Sequence, residues 1–133
     1  MSKIAFATIA AAAVALATQA AAALPQAAGP VPAGDATKGA VVFNQCKVCH
    51  VVDKGVNRVG PSLYGVVGRH SGTAPGYTYS AANKNSGLVW TAAELFKYLE
   101  APQKVIPGTK MAFAGLKKPE DRANVIAFLA TKK

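Results

Sequence analysis

Cysteine, methionine and tryptophan are scarce in this chain of 133 residues, which contains 2 Cys, 2 Met and 1 Trp. Two cysteines are too few for the cross-links that hold a small disulfide-rich domain together. One methionine is the initiator, so Met111 is the only one available for a functional role. The length suits one domain rather than two, and a hydrophobic content of 51% excludes a disordered chain.

Acidic residues are also few, because 6 Asp and Glu stand against 15 Lys and Arg and leave a formal charge of +9. Such a surplus of positive charge on a small protein indicates a partner with an acidic surface. The sequence contains no nucleic-acid-reading motif, so we expect this partner to be another protein and not a nucleic acid.

The one long hydrophobic run lies at the N terminus, where alanine makes up half of residues 1–28. Lys3 precedes the apolar stretch 4–17, and small residues follow it, which is the pattern of a secretory signal peptide. A membrane anchor is the alternative, because a membrane span needs about 20 apolar residues and the run up to Leu24 is nearly that long. Alanine is only weakly hydrophobic, so we expect a signal peptide over residues 1–28, cleaved between residues 20 and 28.

Proline and glycine set the next boundary. They are frequent in residues 29–34, which predicts a flexible lead-in. Residues 35–133 then form the predicted folded domain. Asp35 is a suitable N-cap for a first helix that continues to about Cys46. Pro119 is suited to the first position of a last helix that ends at the basic residues 132–133.

The middle of the domain is dominated by loops. Glycine and proline recur over residues 51–87, where we predict one short helix, Ser80 to Ser86. Thr91 and Glu94 form a capping box for a further helix that stops at about Glu100, before Pro102. No segment alternates convincingly as a strand, so the predicted fold class is all-α.

The most specific motif is Cys46-Lys47-Val48-Cys49-His50, the attachment pattern of c-type haem. Two thiols three residues apart, at the end of a helix, can each bond to one of the two vinyl groups of a porphyrin. The adjacent histidine then lies beneath the ring and offers its imidazole to the iron. We therefore expect one covalently attached haem.

Other sites share parts of this motif, since Cys-x-x-Cys alone is also found in redox dithiols and zinc sites. A zinc site needs four ligands, and His70 is the only other cysteine or histidine of the chain. Its spacing does not favour zinc, and we expect it in an exposed loop and not as a haem ligand. A thioredoxin-like dithiol requires a βαβ setting, which the sequence lacks.

Met111 is the remaining candidate for the iron, because haem iron bound by one histidine takes Met, takes a second His, or stays open. It ends a loop that contains Pro107 and Gly108 and is able to fold across the ring face. Methionine also fills irregular gaps in protein cores. The spacing alone leaves both roles open.

Taken in order, these motifs resemble a class I cytochrome c of the bacterial and mitochondrial kind, over residues 35–133. The resemblance rests on Cys46 to His50 and on Gly60 to Gly65, Gly68-Arg69, Tyr77 to Tyr79, Asn83 to Asn85, Trp90, Tyr98 to Glu100 and Pro107 to Met111. It implies a small all-α cytochrome c fold, with terminal helices that cross around a covalently bound haem and with long loops. At that crossing, the resemblance places Gly39 and Phe43 against Val125 and Phe128.

The resemblance also implies roles for individual residues. His50 and Met111 would be the two iron ligands, and the Pro61 carbonyl would accept a hydrogen bond from the second nitrogen of His50. The residues implied at the inner haem propionate are Arg69, Tyr79 and Trp90. Those implied beside Met111 are Asn83, Tyr98 and Thr109.

The implied function is that of a single-electron carrier between redox partners of a respiratory or photosynthetic chain. With a thioether and an imidazole on the iron there is no open site for a substrate, so we do not expect an enzyme. The alternative is a haem enzyme or gas sensor with a displaceable Met111.

The resemblance favours a ring of lysines around the exposed haem edge, formed by Lys47, Lys104, Lys110 and Lys117. Such a ring steers association with acidic docking surfaces of redox proteins and weakens as salt rises. We expect a monomer that is periplasmic and soluble after cleavage, and that contacts membrane complexes only transiently.

Overall fold

The structure is a computed structural model that describes residues 30–133, so the predicted leader, residues 1–28, lies outside the described residues. This part of the chain contains five α-helices: α1 (Ala36–Val42), α2 (Ala81–Lys84), α3 (Ala92–Tyr98), α4 (Pro102–Val105) and α5 (Pro119–Ala130). A short 3-10 turn, Phe43–Gln45, extends α1. The only strand-like pairing in this part is an isolated bridge between His70 and Val89, so the all-α prediction is confirmed.

Helices α1 and α5 pack closely against each other. Gly39 is buried, and a Cβ at this position would overlap the backbone carbonyl of Asn124 on α5. The rings of Phe43 and Phe128 lie 5.1 Å apart between their centroids. These contacts confirm the predicted crossing of the terminal helices.

The contact between these two helices extends one residue into the predicted lead-in. A Cβ on Gly34 would overlap the carbonyl of Ala123 on α5. The backbone N–H of Asp35 donates to Oδ1 of the Asn124 side chain at 2.8 Å. The start of the domain is therefore attached to α5 by both packing and a hydrogen bond.

Side-chain caps start α1 and α3 as the sequence predicts. Asp35 Oδ1 accepts from the N–H groups of Thr37 and Lys38 at 2.7 and 3.0 Å. The Thr91 hydroxyl accepts from the N–H of Glu94 at 3.1 Å. The reciprocal half of the predicted capping box is absent, because the N–H of Thr91 donates instead to the Val89 carbonyl at 2.7 Å.

Three helix boundaries differ from the prediction. Helix α2 has only four residues, Ala81–Lys84. Pro102, which we expected only to stop a helix, occupies the first turn of α4, where its missing N–H costs no hydrogen bond. Helix α5 ends at Ala130 and not at the terminal lysines, and the Lys132 ammonium lies 4.6 Å from the centre of the Phe128 ring.

The buried core joins α1, α3 and α5 to the long loops between them. No helix of the described residues is long and apolar enough to cross a membrane. The buried apolar residues form one cluster made of Phe43, Val66, Trp90, Leu95, Tyr98, Leu99, Ile106, Leu116, Val125, Ile126 and Leu129. Several of them line a central cavity, so the fold places its core around that cavity.

The close crossing at Gly39 yields a stability prediction. Replacing a helical glycine by alanine normally stabilises a helix by about 1 kcal/mol. In Gly39→Ala the overlap with a backbone carbonyl outweighs this gain, because a backbone group cannot rotate away. We expect the free energy of unfolding of the haem-containing protein to fall by at least about 1 kcal/mol, measured by denaturant titration.

The control is Val41→Ala on the same helix, where the side chain is 68% exposed. This change should alter the free energy of unfolding by no more than about 0.5 kcal/mol. A Gly39→Ala protein as stable as the original would show that the two helices do not pack as described.

Candidate cofactor site

A cavity of about 390 Å³ lies between the loops and helices α3 and α5. Its wall includes Cys46, Cys49, His50 and Met111, which the sequence places far apart in two groups. The remaining wall is largely apolar and includes Val48, Val59, Leu63, Val66, Leu95, Leu99, Phe113, Val125 and Leu129. The fold therefore brings the four predicted haem contacts to one largely apolar chamber.

The two cysteines lie on a turn that follows the extension of α1. The N–H of Cys49 donates to the Cys46 carbonyl at 3.1 Å, and that of His50 donates to the same carbonyl at 2.8 Å. Burial, with a smaller contribution from the nearby Cys49, raises the pKa of the Cys46 thiol to about 11. A reactive redox dithiol needs a lowered thiol pKa, so this environment counts against the dithiol alternative.

His50 is held in one orientation. Its Nδ1 donates to the carbonyl of Pro61 at 2.7 Å, which leaves Nε2 as the nitrogen available to a ligand. Gly60 lies directly against the ring, since a Cβ there would overlap the imidazole. Burial lowers the pKa of His50 despite the hydrogen bond to Pro61, and the positive Arg69 lowers it further. The neutral imidazole that a metal requires is therefore favoured.

Met111 is partly buried, and its sulfur accepts a hydrogen bond. The Tyr98 hydroxyl donates to Sδ of Met111 at 3.3 Å, and the N–H of Met111 donates to the Thr109 hydroxyl at 3.3 Å. Burial raises the pKa of Tyr98, while hydrogen bonds with Thr109 and Asn83 oppose this rise. Tyr98 thus remains a protonated donor beside the thioether.

Three further predicted residues, Arg69, Tyr79 and Trp90, also line the cavity. The two terminal nitrogens of Arg69 donate to the carbonyls of Tyr64 and Ser62, each at 3.0 Å. Its Nε is buried, and none of the described residues 30–133 supplies a hydrogen-bond partner for it. A buried cationic donor without a partner is suited to an anionic group of a ligand.

The four predicted docking lysines are all exposed, but they are not equivalent. Of the four, only Lys110 lines the central cavity, and its Nζ donates to the Thr78 carbonyl at 3.1 Å. Lys104 and Lys117 flank a second, smaller depression next to Glu100. Lys117 Nζ donates to the Glu100 carbonyl at 2.8 Å. Two of the four ammonium groups therefore already have a partner within the chain.

His70 lies away from this site. Its side chain is exposed and does not contribute to the cavity wall. Within residues 30–133, no three side chains of His, Cys, Asp or Glu are grouped so that they would hold a metal ion.

Two polar residues have no role in the predictions from sequence: Asn57, which holds loops of the site, and Arg122, which is buried outside the cavity wall. Asn57 joins two loops, because its Nδ2 donates to the Pro75 carbonyl at 2.9 Å and its Oδ1 accepts from the N–H of Ser62 at 2.9 Å. No local signal identifies the bond between the two loops, since Pro75 lies 18 residues from Asn57. Arg122 is buried near the start of α5. A positive residue near the positive end of a helix dipole is unfavourable, and that conflict is a signal that the sequence did offer.

The residues that are present fit the expected haem c. The two thiols stand at the required spacing, and one histidine nitrogen and one thioether are available on the same cavity wall. The apolar lining suits a porphyrin face, and the unpartnered Nε of Arg69 suits a propionate. Each of these features is a property of the polypeptide itself.

This chain is similar to proteins of one known family. The family described as "Cytochrome c" matches residues 36–133. Cytochrome c2 of Rhodopila globiformis is 57% identical over 101 residues, which cover 75% of this chain and 95% of that protein. Cytochrome c of Euglena viridis is 54% identical over 101 residues, covering 75% of this chain and 99% of that protein.

A solved structure is also similar to the whole described domain. Cytochrome cH from Methylobacterium extorquens superposes with a TM-score of 0.71 and 48% sequence identity. The match covers 74% of this chain and 100% of that chain. The likeness therefore extends over the fold and is not restricted to the cysteine motif.

Proposed function

This chain belongs to the cytochrome c family, and on that premise we propose that it carries single electrons with a haem whose iron is bound by His50 and Met111. Members of the family are electron carriers that hold one covalent haem c, and Cys46 and Cys49 have the spacing that attaches it. The observation that carries the ligand assignment is the presence of His50 and Met111 on the wall of one cavity.

The bound haem supplies an iron that alternates between the ferrous and ferric states. The polypeptide keeps its own ligands in place during this change. Pro61 restrains the ring of His50 through the 2.7 Å hydrogen bond from Nδ1. Tyr98 restrains the Met111 thioether through its hydroxyl. Fixed ligands keep the reorganisation on electron transfer small, which suits a carrier.

The surroundings of the ligands also favour the reduced state. An apolar wall disfavours the additional positive charge of ferric iron. The Tyr98 hydroxyl draws electron density from the Met111 sulfur, which weakens this sulfur as a donor to ferric iron. Both effects raise the reduction potential, and we propose that Asn83 and Thr109 support the Tyr98 hydroxyl in this role.

The ligand proposal predicts a spectrum. Ferric protein should show the weak near-infrared band of sulfur-to-iron charge transfer, and Met111→Leu should lose it because leucine fills similar space without a sulfur. Ala114→Ser, exposed on the same segment, is the matched control and should retain the band. Absence of the band in the unaltered protein would contradict Met111 ligation and favour the haem enzyme or gas sensor with a displaceable methionine.

We further propose that acidic surfaces of redox partners dock at the exposed lysines. Among the hydrogen bonds of the described residues, Lys110 and Lys117 each donate to a backbone carbonyl, whereas Lys47 and Lys104 do not. Two exposed valines on the cavity wall, Val48 and Val59, supply an apolar contact near the cofactor. This combination suits a short-lived encounter of a monomer with a membrane or soluble partner of a respiratory or photosynthetic chain.

The docking proposal predicts a charge-dependent rate. Lys104→Gln should lower the second-order rate constant of electron transfer to an acidic redox protein about 2-fold, as expected for an exposed ion pair. The effect should fade above about 0.1 M salt, where the Debye length is about 10 Å. Lys38→Gln is the control, because Lys38 pairs with Glu120 at 3.7 Å on the α1–α5 side. Equal losses in both variants would refute a localised docking surface.

We also propose that the protein is exported to the periplasm and loses residues 1–28 or slightly fewer. The basic start, apolar run and small residues of the leader support this proposal. The intact mass of protein purified from its host measures the mature N terminus. A mass that still includes residues 1–19 would contradict cleavage.

A further inference from the structure

A buried arginine near the start of α5 has no part in the site described above. The side chain of Arg122 is only 5% exposed and does not line the cavity. Burial of a guanidinium is costly unless strong partners compensate. Its position near the N terminus of a helix adds an unfavourable interaction with the helix dipole. Packing alone would be served better by an apolar residue, so the charge requires another explanation.

The partners of Arg122 come from two other parts of the chain. One terminal nitrogen donates to the carbonyls of Leu116 and Lys117 at 2.7 and 3.2 Å. The other lies 3.6 Å from a carboxylate oxygen of Glu100, just after α3. The guanidinium also lies 4.4 Å from the centre of the Phe96 ring on α3. Arg122 thus links α5, the end of α3 and the segment that precedes α5.

The same segment is attached to the end of α3 by its own backbone. The N–H of Leu116 donates to the Leu99 carbonyl at 2.7 Å. Gly115 has a positive φ of 94°, and a Cβ there would overlap the Glu100 carbonyl. With the bond from Lys117 to that carbonyl, these contacts form an anchor close to Arg122.

Met111 lies only four residues before this anchor. Residues 106–118 contain no regular secondary structure, so the position of Met111 depends on what holds the two ends of the segment. At the first end, Lys110 bonds to the Thr78 carbonyl. At the second end, one terminal nitrogen of Arg122 donates to two successive backbone carbonyls.

We propose that Arg122 is a positioning residue for Met111: it keeps the segment 112–118 against α3 and thereby keeps the thioether in the cavity. The proposal rests on Met111 being an iron ligand. Arginine suits this task because one terminal nitrogen bonds both carbonyls, the other faces Glu100, and the planar face covers Phe96. A lysine ammonium has one nitrogen and no planar face, so it does not reproduce all of these contacts.

The test measures how easily the segment opens. Imidazole binds ferric haem only when Met111 leaves the iron, so its apparent affinity reports the population of the opened segment. Arg122→Lys and Arg122→Gln should bind imidazole about 10-fold more tightly, which corresponds to about 1.4 kcal/mol, the loss expected for one charge-assisted hydrogen bond. Amide hydrogen exchange at Leu116 should accelerate by a similar factor, because its bond to Leu99 opens with the segment.

A matched control separates positioning from general stability. Phe128→Ala lies on the same helix but removes a contact to Phe43, away from the segment. It should lower the temperature of unfolding while leaving imidazole affinity within 2-fold of the original protein. If the Arg122 variants behave like Phe128→Ala, with reduced stability and unchanged imidazole affinity, the proposal is wrong.

A second variant decides the question if the Arg122 variants do not fold. Glu100→Gln removes the ionic partner of Arg122 at a side chain that is 58% exposed, so folding should persist. We expect about 2-fold tighter imidazole binding, as for a partly exposed ion pair, and an unchanged affinity contradicts the proposal. Absence of the near-infrared band in the unaltered protein would refute ligation by Met111 and not the anchoring role of Arg122. In that case, amide hydrogen exchange at Leu116 tests the anchoring role by itself.

Discussion

The close crossing of α1 and α5 is the contact on which the remaining structure depends. Gly39 permits the approach, because any side chain there would meet the carbonyl of Asn124. Helix α1 leads through its 3-10 extension directly into the cysteine motif, while α5 supplies Val125 and Leu129 to the cavity wall. One backbone contact thus aligns the haem attachment turn with the apolar floor of the cavity.

Loops complete the cavity, and long-range hydrogen bonds hold them. Nδ1 of His50 bonds to the Pro61 carbonyl, and Asn57 joins the following loop to Pro75. On the other segment, the Tyr98 hydroxyl reaches Met111. These few polar contacts fix the positions of loops that contain little regular secondary structure. Such an arrangement suits a family whose members hold one covalent haem c.

Local signals predicted the helices whose starts depend on nearby residues. Asp35 and Thr91 cap α1 and α3 as expected. Helix α4 is not predicted, because Pro102 is interpreted only as a stop signal although proline also suits the first turn of a helix. Helix α5 ends at Ala130, before the predicted end at the lysines: the Lys132 carbonyl accepts from the N–H of Gly65, and its ammonium lies over the Phe128 ring. Such choices depend on packing and not on propensity.

The haem motif, the all-α class and the candidate ligands are predictable from the amino-acid sequence, because residue type and short spacing define these features. Three features are visible only in the folded chain. The Tyr98 hydroxyl donates to the Met111 sulfur, and Lys110 and Lys117 donate to backbone carbonyls. The buried Nε of Arg69 has no hydrogen-bond partner among the described residues. The same is true of Arg122, whose partners lie five to twenty-six residues away along the chain. A pairwise contact between distant residues leaves no local periodicity or cap, so it becomes visible only when the chain is folded.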